Sequence, residues 1–292
     1  MKVQHFFDPQ TYTLTYVLWD EMSMDGVIID PVWDFDQPSG QLKDHSIQQV
    51  VKFISQQKIN VRGILETHAH ADHLSSAHQL KAYYPEAITA IGSKIKLVQA
   101  VFKEHFNIDY VNADASQFDL LLEDFQDYEF GTLKLKAIPT PGHTPACMSY
   151  LFGNKVFTGD ALFMPDYGTG RCDFPKGSSK ALFHSVSHNL YSLPDETEVY
   201  VGHDYQPGGR ELAFQTTIGE SKKKNIQLTE KTTEQDYIHF RDNRDKTLST
   251  PLLLLPSLQV NINGGQLPPA ENNGVSYLKT PLQVLKDDSF QR

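Results

Sequence analysis

The feature that most constrains this chain is Thr67-His68-Ala69-His70-Ala71-Asp72-His73, which packs four potential metal ligands into six positions directly after the short apolar run Val61 to Leu65. That run reads as a strand, and Leu74 to Tyr84 reads as a helix stopped by Pro85. Strand, histidine loop and helix therefore follow in order. Ionisable side chains gathered this densely are costly without a cation between them, so the segment points to a bound metal rather than to solvated histidines. On a tight loop His68 and His70 can face one side while Asp72 and His73 reach a neighbouring position, so one metal ion or two can be held.

Three further positions share that character. His143 lies in Thr140-Pro141-Gly142-His143-Thr144, after the alternating strand Thr132 to Ile138. Asp160 closes the strand Val156-Phe157-Thr158-Gly159-Asp160, and His203 closes Val199-Tyr200-Val201-Gly202-His203. A single such residue is usually structural; three of them joining one histidine cluster make a ligand set. Cys147 and Cys172 are the only cysteines, too few for a disulfide framework or a thiolate zinc site. Any metal must be held by imidazole and carboxylate.

The rest of the chain reads as strands followed by α/β alternation, twice over. Tyr12 to Ile29 predicts a strand pair broken at Met22 to Gly26, then a helix over 46–57 capped by Asp44 or Ser46. A strand over 87–91 and a helix over 94–106 follow. The second half predicts a hairpin turning at Gly153-Asn154, a helix over 179–193 and a strand over 198–201. This order is compatible with two packed sheets with helices outside. It suggests a catalytic domain over 1–210 and a less dense C-terminal extension over 211–292 that wraps it, containing Lys222 to Lys224, the polar run Thr229 to Asp236 and the Pro/Gly-rich stretch Gly264 to Gly274.

The formal charge of −10 gives no reason to expect nucleic acid or anionic lipid as a partner. Met1 to His5 has no apolar run after it, and Leu252 to Leu255, between Pro251 and Pro256, is far too short to span a bilayer. A cytoplasmic enzyme is the expectation.

In order and spacing, the HxHxDH, GH, GD and GH positions resemble the metallo-β-lactamase superfamily over roughly residues 12–210. The resemblance implies an α/β fold, an αββα sandwich of two mixed β-sheets flanked by helices, with the metal at the strand ends. It implies less about reaction, because this scaffold hosts several. In a glyoxalase II-like thioester hydrolase all seven ligands hold two Zn(II)-type ions, with Asp160 bridging. In the persulfide dioxygenase branch only His68, His143 and Asp160 hold one Fe(II), the two-histidine, one-carboxylate arrangement with open positions. His70, Asp72, His73 and His203 then stand behind the ligands or line the substrate pocket. A metal-dependent sensor or scaffold without turnover is the third reading.

The surroundings resemble the bacterial members of the dioxygenase branch: Gly159-Asp160-Ala161-Leu162-Phe163, then Arg171-Cys172-Asp173-Phe174, Gly202-His203-Asp204-Tyr205, Pro207-Gly208-Gly209-Arg210-Glu211, Arg244-Asp245-Lys246-Thr247-Leu248 and Asn273-Gly274-Val275. The departure is Met164 to Thr169, longer than the same connection in the mitochondrial type and expected to line the substrate entrance. The resemblance implies oxidation of a small-molecule thiol persulfide, usually glutathione persulfide, by O2 to sulfite and free thiol. No catalytic group beyond the metal site is expected, and self-association into a homo-oligomer stays open.

Around the centre, Arg171 is either an anion contact for substrate or an internal ion pair with Asp173. Tyr205 either bonds substrate or packs as a wall. Cys172 either meets the persulfide or is a small buried hydrophobe. Lys222, Lys223 and Lys224 read as a solvated face, and His5, His45, His105 and His239 have no ligand-like context.

Overall fold

The computed structural model describes residues 1–282. In chain order its strands are β1 (Lys2–Asp8), β2 (Thr13–Trp19), β3 (Asp25–Ile29), β4 (Val32–Asp36), β5 (Gln41–Lys43), β6 (Asn60–Glu66), β7 (Leu74–Ser75), β8 (Ile88–Gly92), β9 (Leu120–Leu122), β10 (Asp127–Phe130), β11 (Leu133–Pro139), β12 (Met148–Phe152), β13 (Lys155–Phe157), β14 (Glu198–Tyr200) and β15 (Gln215–Thr217). The helices are α1 (His45–Gln57), α2 (Ala77–Tyr83), α3 (Ile95–Phe106), α4 (Ser179–His184), α5 (Ile218–Lys224), α6 (Glu234–Asp245) and α7 (Leu254–Asn261).

One six-stranded sheet runs β1-β2-β3-β6-β8-β9 and the other runs β10 to β15 in sequence order; β5-β4-β7 form a small third sheet. Both large sheets are mixed. The first is antiparallel at β1-β2-β3 and parallel from β3 onward, and the second is parallel only between β13 and β14.

The two-residue period of β2 decides how the layers stack. Leu14, Tyr16 and Leu18 point into a buried cluster shared with Leu133, Leu135, Tyr150 and Phe157 of the other sheet. Val17 and Trp19 point the opposite way, where they meet Ile47, Val50 and Ile54 of α1 and Leu80 of α2. On the second sheet α4 and α6 add Leu182, Phe183 and Tyr237 to the buried mass. The result is the expected sandwich of two mixed sheets flanked by helices.

Three local expectations are corrected. Neither Asp44 nor Ser46 caps α1 through its side chain; Asp34 of β4 does so, accepting from Ser46 N at 2.8 Å and Ser46 Oγ at 2.7 Å. A carboxylate there also meets the positive end of the helix. The helix predicted from Leu74 starts instead at Ala77, because Leu74 and Ser75 pair with Trp33 and Val32 of β4. The helix predicted over 179–193 changes to a π-helical turn at Ser185–Leu190.

The segment after residue 210 carries more regular structure than its polar composition suggests. β15 adds to the edge strand β14 and three helices follow, while 283–292 lie outside the described residues. On α5 Lys222 pairs with Asp195 and Lys224 with Glu220. Among the described residues no helix is long and apolar enough to cross a membrane.

Candidate metal centre

The loops that follow β6, β11, β13 and β14 bring all seven sequence-predicted ligands together. Two glycines make the approach possible. At Gly142 φ is 148°, and a Cβ there would lie 2.3 Å from Leu182 of α4; at Gly159 φ is 48°, and a Cβ would lie 2.5 Å from Thr67 Oγ1. The glycine before His143 and the one before Asp160 are therefore required by packing as well as by conformation.

Donor atoms of His68, His143 and Asp160 lie within 4.8 Å of one another, and so do those of His70, Asp72 and His73. His203 stands between the groups, its Nε2 3.1 Å from Asp72 Oδ2 and 3.3 Å from Asp160 Oδ1. His143 Nε2 is 3.5 Å from Asp160 Oδ2.

Four of the imidazoles are held on one nitrogen, which leaves the other open. Thr67 Oγ1 donates to Asp30 at 2.8 Å and so accepts from His68 Nδ1 at 3.0 Å. His70 Nε2 is 3.1 Å from both Asp30 Oδ1 and Glu66 Oε2. His73 Nδ1 sits against Thr13 Oγ1 at 3.3 Å and Asp72 Oδ1 at 3.4 Å. His143 Nδ1 donates to the Arg171 carbonyl at 2.7 Å. The atoms left over are informative: His68 Nε2, His70 Nδ1, His73 Nε2 and Asp160 Oδ1 are buried with no hydrogen-bond partner among the described residues. Each orphaned buried polar atom costs about 1–3 kcal/mol, so their gathering within the two ligand groups fits a bound cation. An imidazole and carboxylate donor set suits a divalent transition metal.

Asp30 and Glu66 were not foreseen as site residues. Each closes an apolar strand next to the cluster, the same signal that marked Asp160. Thr67 N also donates to Asp30, at 2.7 Å, and Ser75 Oγ donates to Glu66. Burial alone would lower the His70 pKa, but the charges of Asp30 and Glu66 and their hydrogen bonds lift it well above the usual range. His68 is held well below that range by burial and by the neighbouring imidazoles, and is a neutral donor. Burial lowers His203 too, yet Asp72 and Asp160 raise it on balance.

A cavity of about 310 Å³ opens onto Asp72, His143 and Asp160. Tyr205 forms one wall, stacked on His203 with centroids 5.5 Å apart and on Tyr167 at 4.7 Å. Tyr12 and Phe163 complete the aromatic lining, and Tyr167 and Thr169 of the 164–169 loop face the same space.

For Arg171 the structure shows the second of its two sequence-based roles. Its Nε and Nη2 each donate to Asp173 at 2.6 Å and its Nη1 donates to the Ser249 carbonyl at 2.8 Å, so the guanidinium is engaged in an internal ion pair at the edge of the cavity that Arg171 also lines. The exposed cation on the cavity is Arg244, which forms no ion pair among the described residues. Sequence reasoning named no role for it, because an arginine on a polar helix looks like any solvated charge. Cys172 is buried in the main core, and burial pushes its thiol pKa up, so it behaves as a small hydrophobe.

The family model described as the metallo-beta-lactamase superfamily matches residues 9–203. Glyoxylase B2 of Dictyostelium discoideum is 44% identical over 287 residues, covering 98% of each chain. The mitochondrial persulfide dioxygenase ETHE1 of Homo sapiens is 30% identical over 205 residues, 70% of this chain and 68% of that one. Among solved structures, ETHE1 from Myxococcus xanthus superposes with a TM-score of 0.73 at 28% identity, covering 91% of this chain and 100% of that one.

Proposed function

The chain belongs to the metallo-β-lactamase superfamily, and from that premise we propose that it is a mononuclear Fe(II) persulfide dioxygenase. The observation that carries this reading is the separation within the ligand set. His68, His143 and Asp160 converge as one two-histidine, one-carboxylate group that borders the cavity through His143 and Asp160, while His70, Asp72 and His73 form a second group whose Asp72 also pairs with His203. Ferrous iron, when bound, supplies one-electron chemistry with dioxygen that zinc cannot offer.

The protein's own part is to position and to exclude water. Tyr12, Phe163, Tyr167 and Tyr205 give the cavity an aromatic wall near His143 and Asp160, suited to a soft sulfur terminus. Arg244 offers a cation at the cavity for a carboxylate on the thiol carrier, which fits glutathione persulfide. Overall the persulfide, one dioxygen and one water become the free thiol, sulfite and two protons. The sequence similarity to human ETHE1 and the structural similarity to ETHE1 from Myxococcus xanthus support this reading.

A glyoxalase II-like hydrolase remains the second reading, favoured by the relative named Glyoxylase B2 and by His203 Nε2 lying 3.3 Å from Asp160 Oδ1, where both would serve a second ion. The deciding experiment supplies anaerobically purified protein with glutathione persulfide and, separately, with a glutathione thioester. Oxygen uptake with sulfite release is expected; thioester cleavage without oxygen uptake would transfer the assignment to the hydrolase.

A further inference from the structure

The histidine loop is tied down from far along the chain. Asn261, at the end of α7, donates from Nδ2 to the carbonyls of His70 and His73, each at 2.8 Å, and its Oδ1 accepts from Ser75 N at 2.8 Å. Asn261 is only 4% exposed, so these three bonds form away from water. One planar amide thus meets two acceptors and one donor on a loop that precedes it by 186 to 191 positions.

From this geometry we infer that Asn261 is a positioning residue for the metal centre, holding by the loop's own backbone the segment that carries His68 together with His70 and His73. Fixing the carbonyls of residues 70 and 73 fixes the 70–71 and 73–74 peptide planes, which bracket Ala71, Asp72 and His73. Each imidazole then has only its own two side-chain torsions left, and its remaining nitrogen is already engaged by Asp30 and Glu66 or by Thr13. The partner helix is itself anchored. Gln99 Nε2 donates to the Ile262 carbonyl at 2.8 Å, and Leu258 and Ile262 share an apolar cluster with Ala69 and Ala71 of the loop. A segment outside the superfamily match at 9–203 therefore belongs to the site.

Neither aspartate nor serine satisfies all three partners. Aspartate keeps the acceptor for Ser75 N but sets a negative oxygen against two carbonyl oxygens. Serine has one donor where two are needed.

The inference rests on the reading of this loop as a metal site and not on which reaction it serves. The test measures Co(II) affinity by chelator competition, the Co(II) absorption spectrum and thermal unfolding of the metal-free full chain for wild type, Asn261→Asp, Asn261→Ser and Gln259→Ala. Gln259 lies on the same helix and also makes three bonds, but to Leu255 and Lys279 rather than to the loop. The Asn261 variants should bind Co(II) about 10 to 100-fold more weakly and shift its spectrum, the size expected when support behind a ligand is lost, while Gln259→Ala stays within about twofold of wild type. Should the aspartate variant fail to fold, the serine variant reads the same quantity without the charge. Wild-type affinity in the folded Asn261 variants, or an equal loss in Gln259→Ala, would overturn the inference. Wild-type protein that binds no Co(II) would instead sink the metal reading itself, and the inference with it.

Discussion

The imidazole of His143 takes its rotation from the backbone of Arg171, whose carbonyl accepts from Nδ1 at 2.7 Å and leaves Nε2 turned toward Asp160 Oδ2, 3.5 Å away. The side chain of the same arginine fastens that carbonyl in place by gripping Asp173 and the Ser249 carbonyl. A residue that the sequence offers either as a substrate contact or as an ion pair thereby orients His143 through its main chain.

Arg171→Ala should accordingly lower kcat and metal occupancy by about tenfold while leaving KM close to wild type, because what it loosens is support behind a ligand. Steady-state kinetics with metal analysis check this. A raised KM with unchanged kcat and metal content would restore the anion-contact role.

Arg244→Ala should do the opposite. Its exposed guanidinium lies on the cavity without a carboxylate partner among the described residues. An exposed charge pair contributes about 1 kcal/mol or less, so KM for an anionic persulfide should rise up to about fivefold with kcat retained. Addition of salt should narrow the difference. Equal KM values for both proteins at low salt would remove Arg244 from substrate binding.

The buried pair Arg241–Asp245 links α6 to the same active-site segment. Arg241 donates to Asp245 Oδ1 through Nε at 2.8 Å and Nη2 at 2.5 Å, and Asp245 Oδ2 accepts from Cys172 N at 2.7 Å. Asp245→Ala leaves a guanidinium that is 1% exposed without its counter-charge. The expected loss is about 3–5 kcal/mol in denaturant unfolding. A change below about 1 kcal/mol would mean that water or a shifted carboxylate replaces the pair.

Acid stability should depend on Asp25, which joins the two sheets. Its Oδ1 accepts from Arg62 Nε at 2.6 Å and its Oδ2 from Thr132 N at 2.9 Å, just before β11. Burial alone would raise its pKa, but Arg62 and the Thr132 N–H outweigh it and hold the carboxyl below its ordinary value. A folded pKa below the unfolded value of about 3.9 means that the stabilisation is fully present above that pH and is lost as pH falls through the folded pKa. Asp25→Asn should therefore be less stable than wild type at neutral pH, with the gap closing below about pH 4. Parallel urea midpoints for the two proteins across that range would contradict the assignment.

What the sequence made legible shares one property: a strong local pattern. His68, His70, Asp72, His73, His143, Asp160 and His203 stand out because polar groups that close apolar strands are rare, and β2, β3, α1 and β11 follow from period 2 or 3.6. The parts that stayed hidden depend on partners distant in the chain. β1 has mixed side chains, all at least partly exposed, and exists because β2 pairs with it along its whole length. Arg241 reads as solvated until Asp245 one turn later and Gln227 from another loop enclose it. Asn261 shows no local signal at all, since its role lies wholly in a loop nearly two hundred residues earlier.

The most direct test compares His143→Ala with His203→Ala for bound iron and for oxygen uptake with glutathione persulfide. His143 converges with His68 and Asp160, whereas His203 stacks on Tyr205 and stands between Asp72 and Asp160. The His143 variant should lose iron and all measurable uptake. The His203 variant should keep iron near the wild-type level and lose about 10 to 100-fold in activity, as expected for a group behind the ligands. If His203→Ala loses metal as completely as His143→Ala, the mononuclear account is wrong and the centre is that of a two-metal hydrolase.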